Sequence, residues 1–200
     1  MSRIVHSGLD VKSWFASIPS VAAVRPSYCL GCGVASQPVG GGVVVQGHGL
    51  RDRELQGPLE VGGDPVTVVV WVRRYRCIQC CAVMLVVPKG MGRQRQYSLC
   101  AIALALALFA DGVPVADVRS RTSAWRLAGP DVAGHWTSLR RWVFAASRGE
   151  LFAGIRAPPT LRPLRKQAEV VADQLVGRSP SDSLCDAPGW RAFRAIEQGI

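Results

Sequence analysis

The chain has no apolar stretch long enough to cross a bilayer. Its longest apolar run, Leu99 to Ala110, has 12 residues, and a spanning helix needs about 20. The run therefore reads as a buried helix, and no membrane partner is expected. The start, Met1-Ser-Arg-Ile-Val-His-Ser-Gly, has no apolar core followed by a small-residue cleavage site. The expectation is a soluble, intracellular protein whose thiols stay reduced. Internal repeats, long low-complexity tracts and heptads are also lacking. Lysine is scarce, with only Lys12, Lys89 and Lys166 among 24 basic residues. Acidic residues are few as well, 14 in all, so the formal net charge is +10 and the pI about 9.9. Such a balance points toward a polyanion, most often nucleic acid, or simply toward solubility. The surplus is uneven: residues 1–97 carry 11 Lys/Arg against 5 Asp/Glu, and the remainder is closer to balance. Arginine's planar fork suits phosphate and guanine edges, although a GC-rich coding sequence produces the same bias.

What is present in quantity is cysteine, seven in 200 residues. In a reducing compartment this argues for metal over disulfides. Cys29-Leu-Gly-Cys32-Gly pairs with Cys77-Ile-Gln-Cys80. A Cys-x-x-Cys turn places two sulfurs on one side of a metal, and two such turns close a tetrahedral site of the kind zinc prefers. The glycines at 31 and 33 let the backbone turn so that amides face the sulfurs. Four thiolates leave no open position, so one Zn²⁺ here is structural and not catalytic. The 44 residues between the knuckles are room for a two-stranded hairpin. A redox Cys-x-x-Cys fits less well, because there are two pairs and no βαβ pattern. Cys81 reads as a bystander, Cys100 as core and Cys185 as linker. His48, between glycines, is a rival ligand or a turn residue. His6 and His135 have no visible partners.

Four stretches follow from the pattern. Residues 1–24 are a lead-in, with one short helix capped by Asp10 and stopped by Pro19. Residues 25–92 are a zinc ribbon of short strands: Val43-Val-Val-Gln, Val66 to Arg76, and Ala82-Val-Met-Leu-Val-Val before Pro88. Residues 93–150 are helical, with Ser98 capping Leu99 to Ala110, a second helix from Val115 to Arg121, and a third from Leu139 capped by Thr137 or Ser138. Residues 151–200 form a helical extension, with Leu164 to Val176 and Trp190 to Ile196 as helices. The fold class is α+β, a small zinc-ribbon β domain followed by a helical, helix-turn-helix-like domain.

In a helix-turn-helix the last helix enters the major groove. Thr137, Ser138, Arg140 and Arg141 would then face double-stranded DNA, while positions 139, 142, 143 and 146 form the inward stripe. Arg119 and Arg121 would touch phosphates. Arg74 and Arg76 share one face of a strand, opposite Arg73 and Tyr75, and Arg93 and Arg95 extend that patch. The plainer reading is a three-helix bundle with a solvated arginine face, and a sheet edge protected by charge. The turn from Thr122 to Trp136 exceeds the usual three or four residues, and Trp125 is expected to anchor an inserted loop.

Arg25-Pro-Ser-Tyr-Cys-Leu-Gly-Cys-Gly, Gly47-His-Gly-Leu-Arg, Val72-Arg-Arg-Tyr-Arg-Cys-Ile-Gln-Cys-Cys, Pro88 and Tyr97-Ser together resemble the N-terminal zinc-ribbon region of bacterial insertion-sequence transposases. They are similar also to short stand-alone proteins carrying that region. The resemblance covers about 25–145. It implies metal ligation by Cys29, Cys32, Cys77 and Cys80, and a helix-turn-helix that recognises element ends. A typical Thr-x-x-Arg-Trp pattern of the third helix is echoed by Thr137, Arg141 and Trp142, with one extra residue. The implied setting is the bacterial cytoplasm, associated with the nucleoid, and the implied partners are DNA and a second copy or a separate transposase subunit. A nuclease domain would need three carboxylates holding two metal ions on a mixed sheet. Asp111, Asp117, Asp131 and Glu150 lie on or between helices instead, so no enzyme is expected. The chain reads as a DNA-binding part without that chemistry, a stand-alone accessory protein or a truncated remnant. A transcriptional regulator uses the same parts. A protein–protein adaptor, with the ribbon as contact and the helices as scaffold, is the reading from another class.

Overall fold

β-Branched residues build the sheet. A computed structural model describes residues 3–92, 96–125 and 136–199. These residues are α+β, and among them lie a four-stranded sheet and six α-helices. Arg93, Arg95, Asp131, His135 and most of the long turn before Trp136 lie outside the described residues. The chain divides into two compact units, residues 1–54 with 69–93 and residues 55–68 with 94–200.

In the first unit β1 (Arg3–Asp10) leads into α1 (Val11–Ala16), and most of β2 (Val45–Gly57), most of β3 (Val66–Cys77) and all of β4 (Val83–Lys89) follow, residues 55–57 and 66–68 being counted with the second unit. The order across the sheet is β1-β4-β3-β2. β1 runs parallel to β4, with Ile4 opposite Leu85, and β3 runs antiparallel to it, with Arg74 opposite Leu85. β4 is flanked on both sides, and Met84 to Pro88 is buried without a break. Pro88 has no N–H to give the ladder, and the β1 register slips beside it, between His6 and Asp10. Asp10 caps α1, its carboxylate accepting from the Ser13 amide at 2.9 Å, as the sequence suggests. The rest of the lead-in departs from expectation, because Arg3–Asp10 is a strand of the sheet. β2 is also longer than Val43-Val-Val-Gln. Exposed Arg51, Asp52 and Glu54 lie on its outer part, as suits a charged sheet edge.

The second unit is organised by α2 (Leu99–Ala110). The Ser98 hydroxyl accepts from the Ala101 amide at 3.0 Å and starts the helix. Because α2 is apolar all round, it must be covered all round. α3 (Val115–Thr122), α4 (Thr137–Ser147), α5 (Leu164–Val176) and α6 (Pro188–Gln198) all pack on it. The extension 151–200 thus completes this core, with Ala168, Leu175 and Ala192 fully buried. α4 begins at Thr137 without a side-chain cap, and Trp136 holds the cap position. Packing sets that start: Trp136, Trp142 and Tyr97 meet edge to face at 4.8–6.0 Å. Trp125, expected as an anchor, is 48% exposed.

Candidate metal centre

The first knuckle is closed by its own backbone. The Cys29 amide donates to the Val34 carbonyl at 2.8 Å, and the Gly33 amide donates to the Cys29 carbonyl at 2.8 Å. The second repeats the pattern, with the Cys77 amide donating to the Ala82 carbonyl at 3.0 Å. The residue after the last cysteine of each turn is left-handed, Gly33 at φ +75° and Cys81 at φ +58°. Cys81 therefore occupies the place of a glycine and turns the chain away from the metal side. Its sulfur accepts from Arg76 Nη2 at 3.5 Å. The Gly31 amide faces the Cys29 sulfur at 3.2 Å, as its sequence context suggests, and its missing side chain has a second reason. A Cβ built there would lie 2.8 Å from Ala82 Cβ and 3.1 Å from Cys80 Sγ, so the bare backbone lets the two knuckles touch.

The four sulfurs of Cys29, Cys32, Cys77 and Cys80 all lie within 4.8 Å of one another. Cys29 and Cys80 are 3.5 Å apart, and Cys32 and Cys77 3.8 Å. A tetrahedron with metal–sulfur bonds near 2.3 Å has edges of about 3.8 Å, so the cluster fits one four-coordinate ion. A disulfide needs about 2.05 Å, and none of the seven cysteines is in one. His48, the rival ligand, is exposed on β2 and does not belong to the cluster.

The environment prepares the thiols unequally. Burial works to raise the Cys29 pKa, but the amides of Cys32 and Gly31 and the neighbouring thiols outweigh it, bringing it to about 7. For Cys80 the Ala82 amide pulls downward, yet loss of water and three crowded thiols carry it up to about 12. Four thiolates this close repel one another unless a cation sits among them. The cluster can thus hold a metal ion.

The helical candidates divide by exposure. Thr137, Arg140 and Arg141 are exposed and Ser138 is half-buried, while Leu139, Trp142, Val143 and Ala146 are buried. Arg140 lies over the Phe144 ring at 5.6 Å. Arg121 is exposed, but Arg119 is half-buried, with a buried Nε that has no hydrogen-bond partner. α2 is the main packing partner of α3, and α4 rests on α2 and α5. Arg74 is half-buried and Arg76 exposed. On the opposite face of β3, Arg73 and Tyr75 donate to the carbonyls of Pro19 and Val21. Comparison with protein-family models, curated proteins and solved structures finds no match to this chain.

Proposed function

We propose that this is a zinc-dependent DNA-binding protein in which Cys29, Cys32, Cys77 and Cys80 hold one structural Zn²⁺ and the exposed face of α4 meets duplex DNA. On this reading it is related to the DNA-recognition region of transposases, a zinc ribbon joined to a helix-turn-helix-like domain. The observation that carries the reading is the division of α4. Thr137, Arg140 and Arg141 stand outward on a helix whose opposite side is anchored by buried Trp142 and Val143. A groove-reading helix needs such an arrangement, with polar side chains free at its N-terminal half and a rigid support behind. Here the support is α2 and α5, in place of a tightly turned α3. Four sulfur ligands favour zinc for the metal, since thiolate tetrahedra suit zinc or iron–sulfur chemistry.

The adaptor reading has one observation of its own. Tyr28, Leu30 and Ile78 are exposed at the knuckles, Ile78 by 55%, and Leu30 and Ile78 occupy equivalent places in the two turns. The deciding experiment is selection of bound DNA from a random pool with zinc-loaded protein at near-physiological salt. An enriched motif that is lost with Arg140→Gln and Arg141→Gln supports the DNA reading. No enrichment by folded, zinc-loaded protein refutes it in favour of the adaptor.

A further inference from the structure

We propose that the cleft at the C-terminal end of α4 binds a phosphate monoester carrying a planar ring, a ligand of the nucleoside monophosphate class. The inference stands on unit-two geometry alone and does not require the DNA reading. The cleft has a volume of about 800 Å³, within the range of roughly 300–1,000 Å³ of small-molecule sites.

The cleft is rich in positive charge. Three arginines line it, Arg148, Arg156 and Arg162, with one carboxylate, Glu150. Arg148 spends its charge on Glu150, through Nε at 2.7 Å and Nη2 at 3.2 Å. Among the described residues, Arg156 and Arg162 have no ion-pair partner. Two guanidiniums on one concave surface offer an anion two planar sets of N–H donors. A phosphate monoester carries about −1.5 to −2 charges at neutral pH and meets them bidentately.

The backbone carrying these arginines is held in place. Gln174 clamps the Arg156 backbone on both sides, its Oε1 accepting from the amide at 3.3 Å and its Nε2 donating to the carbonyl at 2.7 Å. Gln167 holds the next stretch, its Nε2 donating to the Leu161 carbonyl at 2.7 Å and to the Arg162 carbonyl at 3.4 Å. The two glutamines stand seven residues apart on α5, hence on one face. The Ala157 amide ties the same segment to the Ser147 carbonyl at 3.1 Å. Both arginines therefore start from fixed backbone, which lowers the ordering cost of binding.

The remaining wall is apolar. Phe144 is 37% exposed and, with Pro158 and Leu161, gives an apolar surface against which a planar ring can lie. Ser147 lines the cleft too, and its hydroxyl is buried without a hydrogen-bond partner. A bare phosphate would leave these groups unused.

The test is calorimetric titration of the full-length, zinc-loaded protein with adenosine monophosphate, ribose 5-phosphate and inorganic phosphate. The expected result is saturable one-to-one binding of adenosine monophosphate, with ribose 5-phosphate about fivefold weaker or more. Arg156→Gln with Arg162→Gln is expected to lose about 100-fold in affinity with unchanged circular dichroism. Phe144→Ala should erase the preference over ribose 5-phosphate. Should the double variant misfold, Arg162→Gln alone serves, since the fold uses only the backbone of Arg162, and about a tenfold loss is expected. Absence of saturable binding, or equal affinity in the arginine variants, overturns the proposal. So does inorganic phosphate binding as tightly as adenosine monophosphate. Displacement of the nucleotide by a short DNA duplex, with duplex affinity falling in the same variants, would reassign the cleft to a nucleic-acid surface and overturn it equally.

Discussion

Replacing Gly31 with alanine tests whether the two knuckles close on a single ion. The added Cβ would meet Ala82 Cβ at 2.8 Å and Cys80 Sγ at 3.1 Å, where ordinary carbon contacts are about 3.5–4.0 Å. Something must give by roughly 0.7 Å. Ala82 has little freedom, because its carbonyl accepts from the Cys77 amide at 3.0 Å and it directly precedes β4. The Cys80 sulfur cannot retreat while it ligates a metal. The knuckles therefore move apart, and the cost falls on metal binding while all four thiols remain. Overpacking of this kind costs about 1–3 kcal/mol, equivalent to about 5- to 150-fold in zinc affinity. The assay is competition for Zn²⁺ with a chromophoric chelator, beside the Co²⁺ spectrum of each variant. Gly42→Ala is the control, since a Cβ there meets nothing within 4 Å. Gly31→Ala with the affinity of wild type would refute the reasoning, for the knuckles would then not be in contact around one ion.

Three further outcomes follow from named contacts. Asp10→Ala should cost about 1 kcal/mol of stability at neutral pH by removing the α1 cap. The Ser13 amide and hydroxyl hold the Asp10 pKa below its ordinary value. A lowered carboxylate pKa stabilises the fold above that ordinary value and loses its effect as pH falls through the folded one. Thermal unfolding of wild type and variant should therefore converge in acid, and a constant difference would remove Asp10 as the source. Arg140→Gln and Arg141→Gln should each cost about 1–3 kcal/mol on a selected DNA site where they read a base, without shifting the melting temperature. Fluorescence anisotropy unchanged in both would take α4 off the interface. Trp142→Ala removes a side chain 3% exposed that meets Tyr97 at 4.8 Å and Trp136 at 4.9 Å. Urea unfolding should register a loss of about 3–5 kcal/mol, with zinc stoichiometry unaltered because Cys29, Cys32, Cys77 and Cys80 belong to the other unit.

Local signals were legible and paired ones were not. Ser98 before an apolar run, Asp10 before α1 and Pro163 before Leu164 mark helix starts by chemistry confined to a few residues. The cysteines were legible because a metal makes a long-range contact visible as residue type and spacing. β1 carries no such mark. It pairs with Met84 to Lys89, some eighty positions away. The outer half of β2, Gln46 to Glu54, is polar and mostly exposed, so pairing with β3 makes it a strand, against its own propensity. Nor does anything in the sequence set Gln167 and Gln174 apart from surface glutamines. Only their bonds to Leu161, Arg162 and Arg156 reveal that they brace a loop.

The same distinction decides what metal removal should do. Leu30 donates its amide to the Met84 sulfur at 3.4 Å, a weak acceptor, and the Ile78 amide reaches the Val44 carbonyl at 3.0 Å. Between Gln37 and Val43 the chain is largely exposed. By contrast, Trp14, Val72, Tyr75 and Met84 are fully buried and keep β3, β4 and α1 together without sulfur ligands. Chelation should thus open residues 25–44 locally before the sheet unfolds. Hydrogen exchange reads this directly: the amides of Cys29, Gly33 and Ile78 should lose protection in stripped protein, while Ile102, bonded to the Ser98 carbonyl at 3.0 Å, keeps it. Protection that persists at Cys29 and Ile78 would mean that the knuckle folds without the ion, and its four sulfurs would no longer need a metal to explain their convergence.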